Sequence, residues 1–418
     1  MRKPTAATAF FLTLGVMICV MVGGLAQATE DTEIEALKAR LEKLEACRAP
    51  EGGDTGGILK SIDASGGITV IGQGTVGNEA GDKAGANVSA DLFVTAKPTE
   101  ASTIALHFDM CRGSGVSAAR SIGGESLFNT TALGIPNNDL EFNSDIPHLV
   151  EAWYEHALLG GKAVVSVGIL DPTLYFDGNA YANDQHSQFL AWVFVNNPGI
   201  AWGGDADFYG PGIRLTASPT PWLDLSAGGF STQAVDTTEN EVVGFENEFD
   251  KPFAIVEADL KTMFLGREGN YRLYIWHNNN RENFPTFRGR ARANTPWGLG
   301  GSFDQALTEN LGLFLRFGKQ DEKCQELEYV VSAGLSALGL IPARPADVLG
   351  IGYAAGILSD DYCCANAGLK SVEHWVEAYY SVQLTPNFSV SPDVQYVVNP
   401  GGARDGLFVL GLRTEAVF

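Results

Sequence analysis

The chain ends on GLFVLGLRTEAVF, residues 406–418. Read by twos, Phe408, Leu410, Leu412, Ala416 and Phe418 share one face, with Thr414 among them. Val409, Gly411, Arg413, Glu415 and Val417 share the other. Period two is the signature of a strand with one apolar and one mixed face. Chain ends fray unless something holds them. An apolar face carried to a terminal aromatic therefore needs an apolar surface beside it.

The same alternation recurs upstream. In NVSADLFVTAK, Val88, Ala90, Leu92, Val94 and Ala96 oppose Asn87, Ser89, Asp91 and Lys97, with Phe93 on the polar side. In LGLFLRFG, Leu311, Leu313, Leu315 and Phe317 oppose Phe314 and Arg316. Sixteen such runs are expected between 66–76 and 406–418. Tight turns such as Lys97-Pro98-Thr99-Glu100 and Thr385-Pro386-Asn387 alternate with long, polar, Gly- and Asn-rich connections. A soluble sandwich has no need of that alternation. A transmembrane β-barrel does, with short periplasmic turns and long extracellular loops. The expected fold class is all-β: a sixteen-stranded antiparallel transmembrane barrel spanning 66–418, with long extracellular loops folding inward. Phe418 would then meet lipid and serve the barrel assembly machinery as a terminal signal. The last strand would close on the first, removing both edges.

The other end says where the chain goes. Arg2 and Lys3 precede an apolar run from Phe10 to Val22, followed by Ala26-Gln27-Ala28. That order predicts a secretory signal peptide over 1–28, cut after Ala28. In the next stretch, 29–48, Ile34, Leu37, Leu41 and Leu44 form a two-heptad seam. It predicts a short periplasmic coiled-coil helix that self-associates, because two heptads are too short to be stable alone. Residues 49–65 are expected to be a Gly-rich linker.

Net charge is −22, which excludes a phosphate-neutralising nucleic-acid surface. Cysteines are few, and a bridge from Cys324 to Cys363 or Cys364 is conceivable in an exported chain. There is no G-x-S-x-G, H-E-x-x-H or P-loop, and the six His residues lack ligand spacing. No catalytic group, metal or cofactor is expected.

Candidate pore residues come from the faces. Glu151, Trp153 and Glu155 share one face, and Glu373, Trp375 and Glu377 share another, as two V-E-x-W-x-E runs. Charge should point to water, which places these in the lumen with Arg214, Arg272, Trp276, Arg316 and Arg413. Rings beside charges of both signs suit a polyol, since Arg donates and carboxylates accept hydrogen bonds. Opposite inward charges also pair across a barrel wall, and the faces alone leave both uses open. Residues 170–210 make the longest connection and are rich in aromatics. Such a loop is usually functional. It is expected to fold into the barrel mouth as a constriction carrying Asp171, Tyr175, Phe176, Asp177, Asn183, Asp184 and Gln188. A short helix opened by Asn183 or Asp184 is expected in ANDQHSQFLAWVF. A second loop carries Arg281, Arg288, Arg290 and Arg292. It argues for an anion path or for contact with lipopolysaccharide phosphates.

VGILDPTLYFDGNAYANDQHSQFL, FVNNPGI, FDQALTENLGLFLRFG, PADVLGIGYA, EAYYSVQLTPNFSVSPDVQYVVNPGG and GLRTEAVF together resemble the OprB-type carbohydrate-selective porin family. The resemblance runs from about residue 148 to the end. It implies an outer-membrane barrel passing small sugars by facilitated diffusion through an Arg-containing constriction. The 29–48 segment lies outside that pattern, and 77–147 follows it weakly. Organic acids or iron chelates as solutes, and a plugged barrel tethered in the periplasm, remain as alternatives.

Overall fold

The computed structural model describes residues 62–79, 81–113, 115–116, 128–133, 147–202, 209–232, 251–280, 296–402 and 405–418. The signal peptide, the seam of Ile34, Leu37, Leu41 and Leu44, and the Arg281, Arg288, Arg290 and Arg292 loop lie outside them. Sixteen strands run β1 (Ile62–Val76), β2 (Ala84–Thr99), β3 (Ser102–Gly113), β4 (His148–Leu158), β5 (Ala163–Leu170), β6 (Gly210–Thr220), β7 (Leu223–Phe230) and β8 (Phe253–Phe264). The second half is β9 (Arg267–Asn278), β10 (Trp297–Ala306), β11 (Leu311–Gln320), β12 (Leu327–Leu338), β13 (Val348–Leu358), β14 (Val372–Thr385), β15 (Phe388–Val398) and β16 (Leu407–Val417). Every strand pairs antiparallel with its sequence neighbour, and β1 pairs with β16, so the sheet closes.

The first strand begins at Ile62 rather than at Gly66. Ile62 to Ser65 oppose Ala96 to Phe93 of β2, so ladder pairing extends into what composition marks as linker. The closing seam sets Ile71 opposite Arg413 and Gly67 opposite Val417. Beyond it, Gly66 N–H donates to the Phe418 carbonyl at 3.2 Å, and Phe418 N–H donates to Gly66 O at 3.0 Å. A Cβ on Gly66 would come within 2.7 Å of the Phe418 ring and 2.3 Å of Asp91 O. Gly66 is thus the seat of the terminal aromatic.

Short and long connections separate by end. The β8–β9 turn is Leu265-Gly266 with φ of 51° and 75°, the positive pair that matches strand twist in a two-residue hairpin. Opposite it lie the long connections, of which 171–209 is described over most of its length. Outward faces carry exposed Leu215, Val256, Ile275, Leu315, Val376, Val394 and Phe408. This is the apolar exterior of a barrel whose solvent is lipid.

The interior is filled on one side. Ala182, Phe189, Ala191, Val193 and Phe194 of the 171–209 loop pack on Phe314 of β11, Ala354 of β13, and Trp375 and Tyr379 of β14. Phe176, Ile200 and Trp202 of the same loop pack on Phe230, Phe253, Ile255, Tyr274 and Trp276. Small residues on the wall make the room. A Cβ on Gly312 would lie 2.0 Å from the Tyr181 ring, and one on Gly352 would lie 2.7 Å from Phe194.

The expected helix at Asn183 or Asp184 does not form. Helix α1 is confined to Trp192–Val195. Upstream of it, the Asp184 carboxylate accepts from His186 N–H at 2.8 Å and from the Ser187 hydroxyl. Gln188 Oε1 accepts from Asn183 N–H at 2.7 Å. These local side-chain bonds satisfy the backbone in a turn and compete with a helix. The suggested disulfide is also absent: Cys324 is a buried free thiol, and Cys363, in the helix α2 (Asp360–Ala365), is likewise unbridged.

Candidate functional site

Alternation along each strand decides which side chains enter the barrel. Arg316 of β11, Glu377 of β14 and Arg413 of β16 all enter it, and all meet the 171–209 loop. Arg316 is about 1% exposed. Its Nη1 donates to the carbonyls of Ala182 and Phe194, the latter at 2.6 Å. Its Nη2 donates to Asp177 O at 3.0 Å and Asn183 Oδ1 at 2.7 Å. Its Nε sits 3.0 Å from Asp177 Oδ2. Glu377 accepts from the backbone N–H of Leu190 at 2.5 Å and of Ala191 at 2.9 Å. Arg413 Nη1 donates to Gln185 O at 2.9 Å and Gln188 O at 2.7 Å. The wall grips the loop's backbone, which has no ladder of its own to satisfy it.

Asp177 is the pivot of that grip. Tyr274 OH donates to its Oδ1 at 2.8 Å and Asn197 N–H to its Oδ2 at 3.1 Å. Its own N–H donates to Glu257 Oε2 at 2.8 Å. Its φ is 60°, a left-handed conformation that a non-glycine residue adopts at a cost, and these bonds over-determine it.

The other sequence candidates divide by location. Arg272 donates to Gly178 O at 2.7 Å and Asp304 at 2.6 Å. Trp276 Nε1 donates to Gly199 O at 3.0 Å. Arg214 bridges to Glu155 at 3.4 Å and lies 4.6 Å from the Tyr175 ring centre. Trp153, Tyr175 and Phe176 belong to the aromatic packing beside β7 to β9. Glu373 accepts from Trp375 Nε1 at 2.5 Å and Gly401 N–H at 2.6 Å, which fixes the 399–406 connection. Arg272, Trp276 and Glu373 thus secure connections against the wall, whereas Arg214 and Glu155 tie β6 to β4.

A cavity lies along the turn-side part of β1 and β16 and on β2 to β4. It has a volume of about 790 Å³. Its lining runs from Gly67 and Val417 near the short-turn end to Asn129 and Tyr209 in the long connections. Glu151, Asp171, Asn183 and Asp184 line it, as do Asp91, Phe93, His107, Asp109, His186 and Glu415, which sequence reasoning did not single out. Asp91, His107 and Asp109 sit on the polar faces of their strands. Their convergence depends on neighbouring strands and barrel closure, which no local window shows.

These groups form a chain of contacts. His107 Nε2 is 2.9 Å from Asp91 and its Nδ1 is 3.1 Å from Glu151. His186 on the loop meets Thr69 Oγ1 at 2.9 Å and approaches Asp91 at 3.8 Å. Phe93 stacks flat on His107, centroids 3.9 Å apart. Asp171 opens the loop and accepts from Thr173 N–H and Oγ1 at 2.8 and 2.7 Å. Burial pushes its carboxyl up to about 7, against the pull of Thr173 and with a further push from Glu151.

Residues 82–418 match the family model described as carbohydrate-selective porin, OprB family. An uncharacterised protein of Aquifex aeolicus is 30% identical over 251 residues, 57% of this chain and 66% of that protein. Porin AaxA of Chlamydia caviae is 24% identical over 276 residues, 66% of this chain and 57% of that protein. Porin B of Pseudomonas aeruginosa is 26% identical over 130 residues, 27% of this chain and 29% of that protein. The matches thus span less than two thirds of these relatives' own lengths. Among solved structures, Pseudomonas putida OprB at high pH superposes with a TM-score of 0.71 at 18% identity, covering 86% of this chain and 94% of that one. The likeness shows a shared sixteen-stranded barrel fold.

Proposed function

The chain belongs to the carbohydrate-selective porin, OprB family, and from that premise we propose that it carries small sugars across the bacterial outer membrane by facilitated diffusion. The observation that carries this reading is the space beside the folded loop. A cavity of about 790 Å³ opens beside the folded loop, lined by Gly67, Thr69 and Glu415 low on the closing seam and by Asn129 and Tyr209 of the long connections. That is the size range of sites for small organic molecules. Its lining includes the Phe93 ring, carboxylates such as Asp91 and Asp109 on the neighbouring strands, and Asn183 of the loop. A sugar's C–H face packs on such a ring while its hydroxyls donate to the acceptors. The loop acts as the constriction and the buried Arg and Glu clamps hold it there. Signal-peptide cleavage after Ala28, self-association through the 29–48 segment, contact with lipopolysaccharide and recognition of Phe418 by the assembly machinery are parts of the same proposal.

Liposome swelling tests it. Proteoliposomes should swell in isotonic mono- and disaccharides at rates that fall with solute size. Protein-dependent swelling with small ions but with none of the sugars would refute the carbohydrate reading.

A further inference from the structure

Resting on the channel reading above, we propose that the open passage prefers hydrophilic cations, and admits aminated sugars ahead of neutral sugars of the same size. Two independent features of the interior support this. The first is where the positive charge has gone. Arg272, Arg316 and Arg413 point inward, yet each donates to loop carbonyls, and Arg272 and Arg316 also pair with carboxylates. Arg214 is taken up by Glu155 and the Tyr175 ring. Arg272, Arg316 and Arg413 are thus committed to the loop's backbone, and none of these four arginines lines the cavity.

The second is what remains on the passage. Asp91, Asp109, Glu151, Asp171, Asp184 and Glu415 line it, and no Lys or Arg does so among the described residues. Its basic groups there are His107 and His186. Both touch Asp91, and His107 also touches Glu151, so each imidazole answers carboxylates already present. Even with both imidazoles protonated, carboxylates outnumber them. Rings of Asp and Glu give cation selectivity to channels, and low-dielectric walls focus their field along the path. The Phe93 ring, stacked on His107 at the edge of this space, offers a π face to an ammonium as well as to a sugar's C–H face.

The test is a reversal potential. Purified full-length protein in a planar bilayer is placed under a potassium chloride gradient, and the voltage of zero current is read. We expect potassium to be favoured over chloride by roughly tenfold, the low end of field focusing in a charged cleft. In liposome swelling, glucosamine should enter faster than glucose, and N-acetylglucosamine more slowly than both. The double variant Asp109→Asn, Glu415→Gln should cut the potassium preference at least about twofold. Among the described residues, the Asp109 and Glu415 carboxylates accept hydrogen bonds from the Ser89 and Ser389 hydroxyls, each at 3.4 Å. The wild-type reversal potential decides even if that variant does not fold. Open channels with a reversal potential at zero or on the chloride side overturn this inference and leave the porin reading standing. Absence of any conductance overturns both.

Discussion

Arg316 spends all its charge on one loop. Its guanidinium touches Asp177, Ala182, Asn183 and Phe194, so a single wall residue fixes both arms of the 171–209 segment. Removing one partner of a buried pair leaves the other charge uncompensated, at a cost of about 3–5 kcal/mol. Arg316→Ala should therefore free the loop: single-channel conductance should rise about twofold or more, and thermal stability should fall by that order. Arg316→Lys should behave nearly as badly, because a point charge cannot reproduce the fork. Unchanged conductance in both would show that the loop is held without it. Asp171 gives a second residue-scale prediction. Its ordinary carboxyl value is 3.8 and burial raises it to about 7. The groups facing it are Thr173 on the loop, Glu151 on β4 and His107 on β3. Raising pH from 6 to 8 ionises it and adds a negative charge to the passage. Potassium over chloride preference should rise across that window in the wild type and rise by less in Asp171→Asn, where the remaining titrating groups of the passage alone respond. The inward direction of Arg316 is legible in its strand's alternation. Its partners are not, because they lie more than 100 residues away in a segment with no period.

At the scale of elements, strands and loop were legible to different degrees. Alternation and turn chemistry mark each strand because a barrel wall has two unlike faces along its whole length. Aromatic content marks the 171–209 loop as inward-folding, since exposed rings would be wasted. Its internal form was not legible: Asn183 and Asp184 look like helix-start chemistry, and instead Asp184 and Gln188 close a turn. Wall glycines Gly312 and Gly352 are seats for the loop's rings. Gly312→Leu tests this, since its Cβ alone would lie 2.0 Å from Tyr181. The side chain should displace the loop, raise conductance and weaken any block by sugars, while the β-rich circular dichroism of the barrel persists. A variant with wild-type conductance and block would show that the loop's seating on β11 is dispensable.

The whole molecule divides its interior into two halves. Toward β7 to β14 the loop packs against the wall, aromatic on aromatic, with Arg and Glu clamps on its backbone. Along the turn-side part of β1 and β16 and on β2 to β4 an acidic cavity remains, while nearer the long connections Leu133 and Leu190 pack on Ile71 and the Gln73 amide bonds to Thr130 O. That division required closure: β16 must meet β1 before Glu415 can share a space with Asp91 and Glu151. A sequence reading can sort residues to the lumen face but cannot tell the gripped part of a lumen from the open part. The central claim is that this open half is a solute path narrowed by the folded loop. It is tested most directly by single-channel conductance of the reconstituted wild-type protein during titration with a panel of mono- and disaccharides. The account predicts stepwise openings whose ion current falls saturably as one sugar is added. Steps that are indifferent to every sugar, or no steps where a control porin opens, would contradict it.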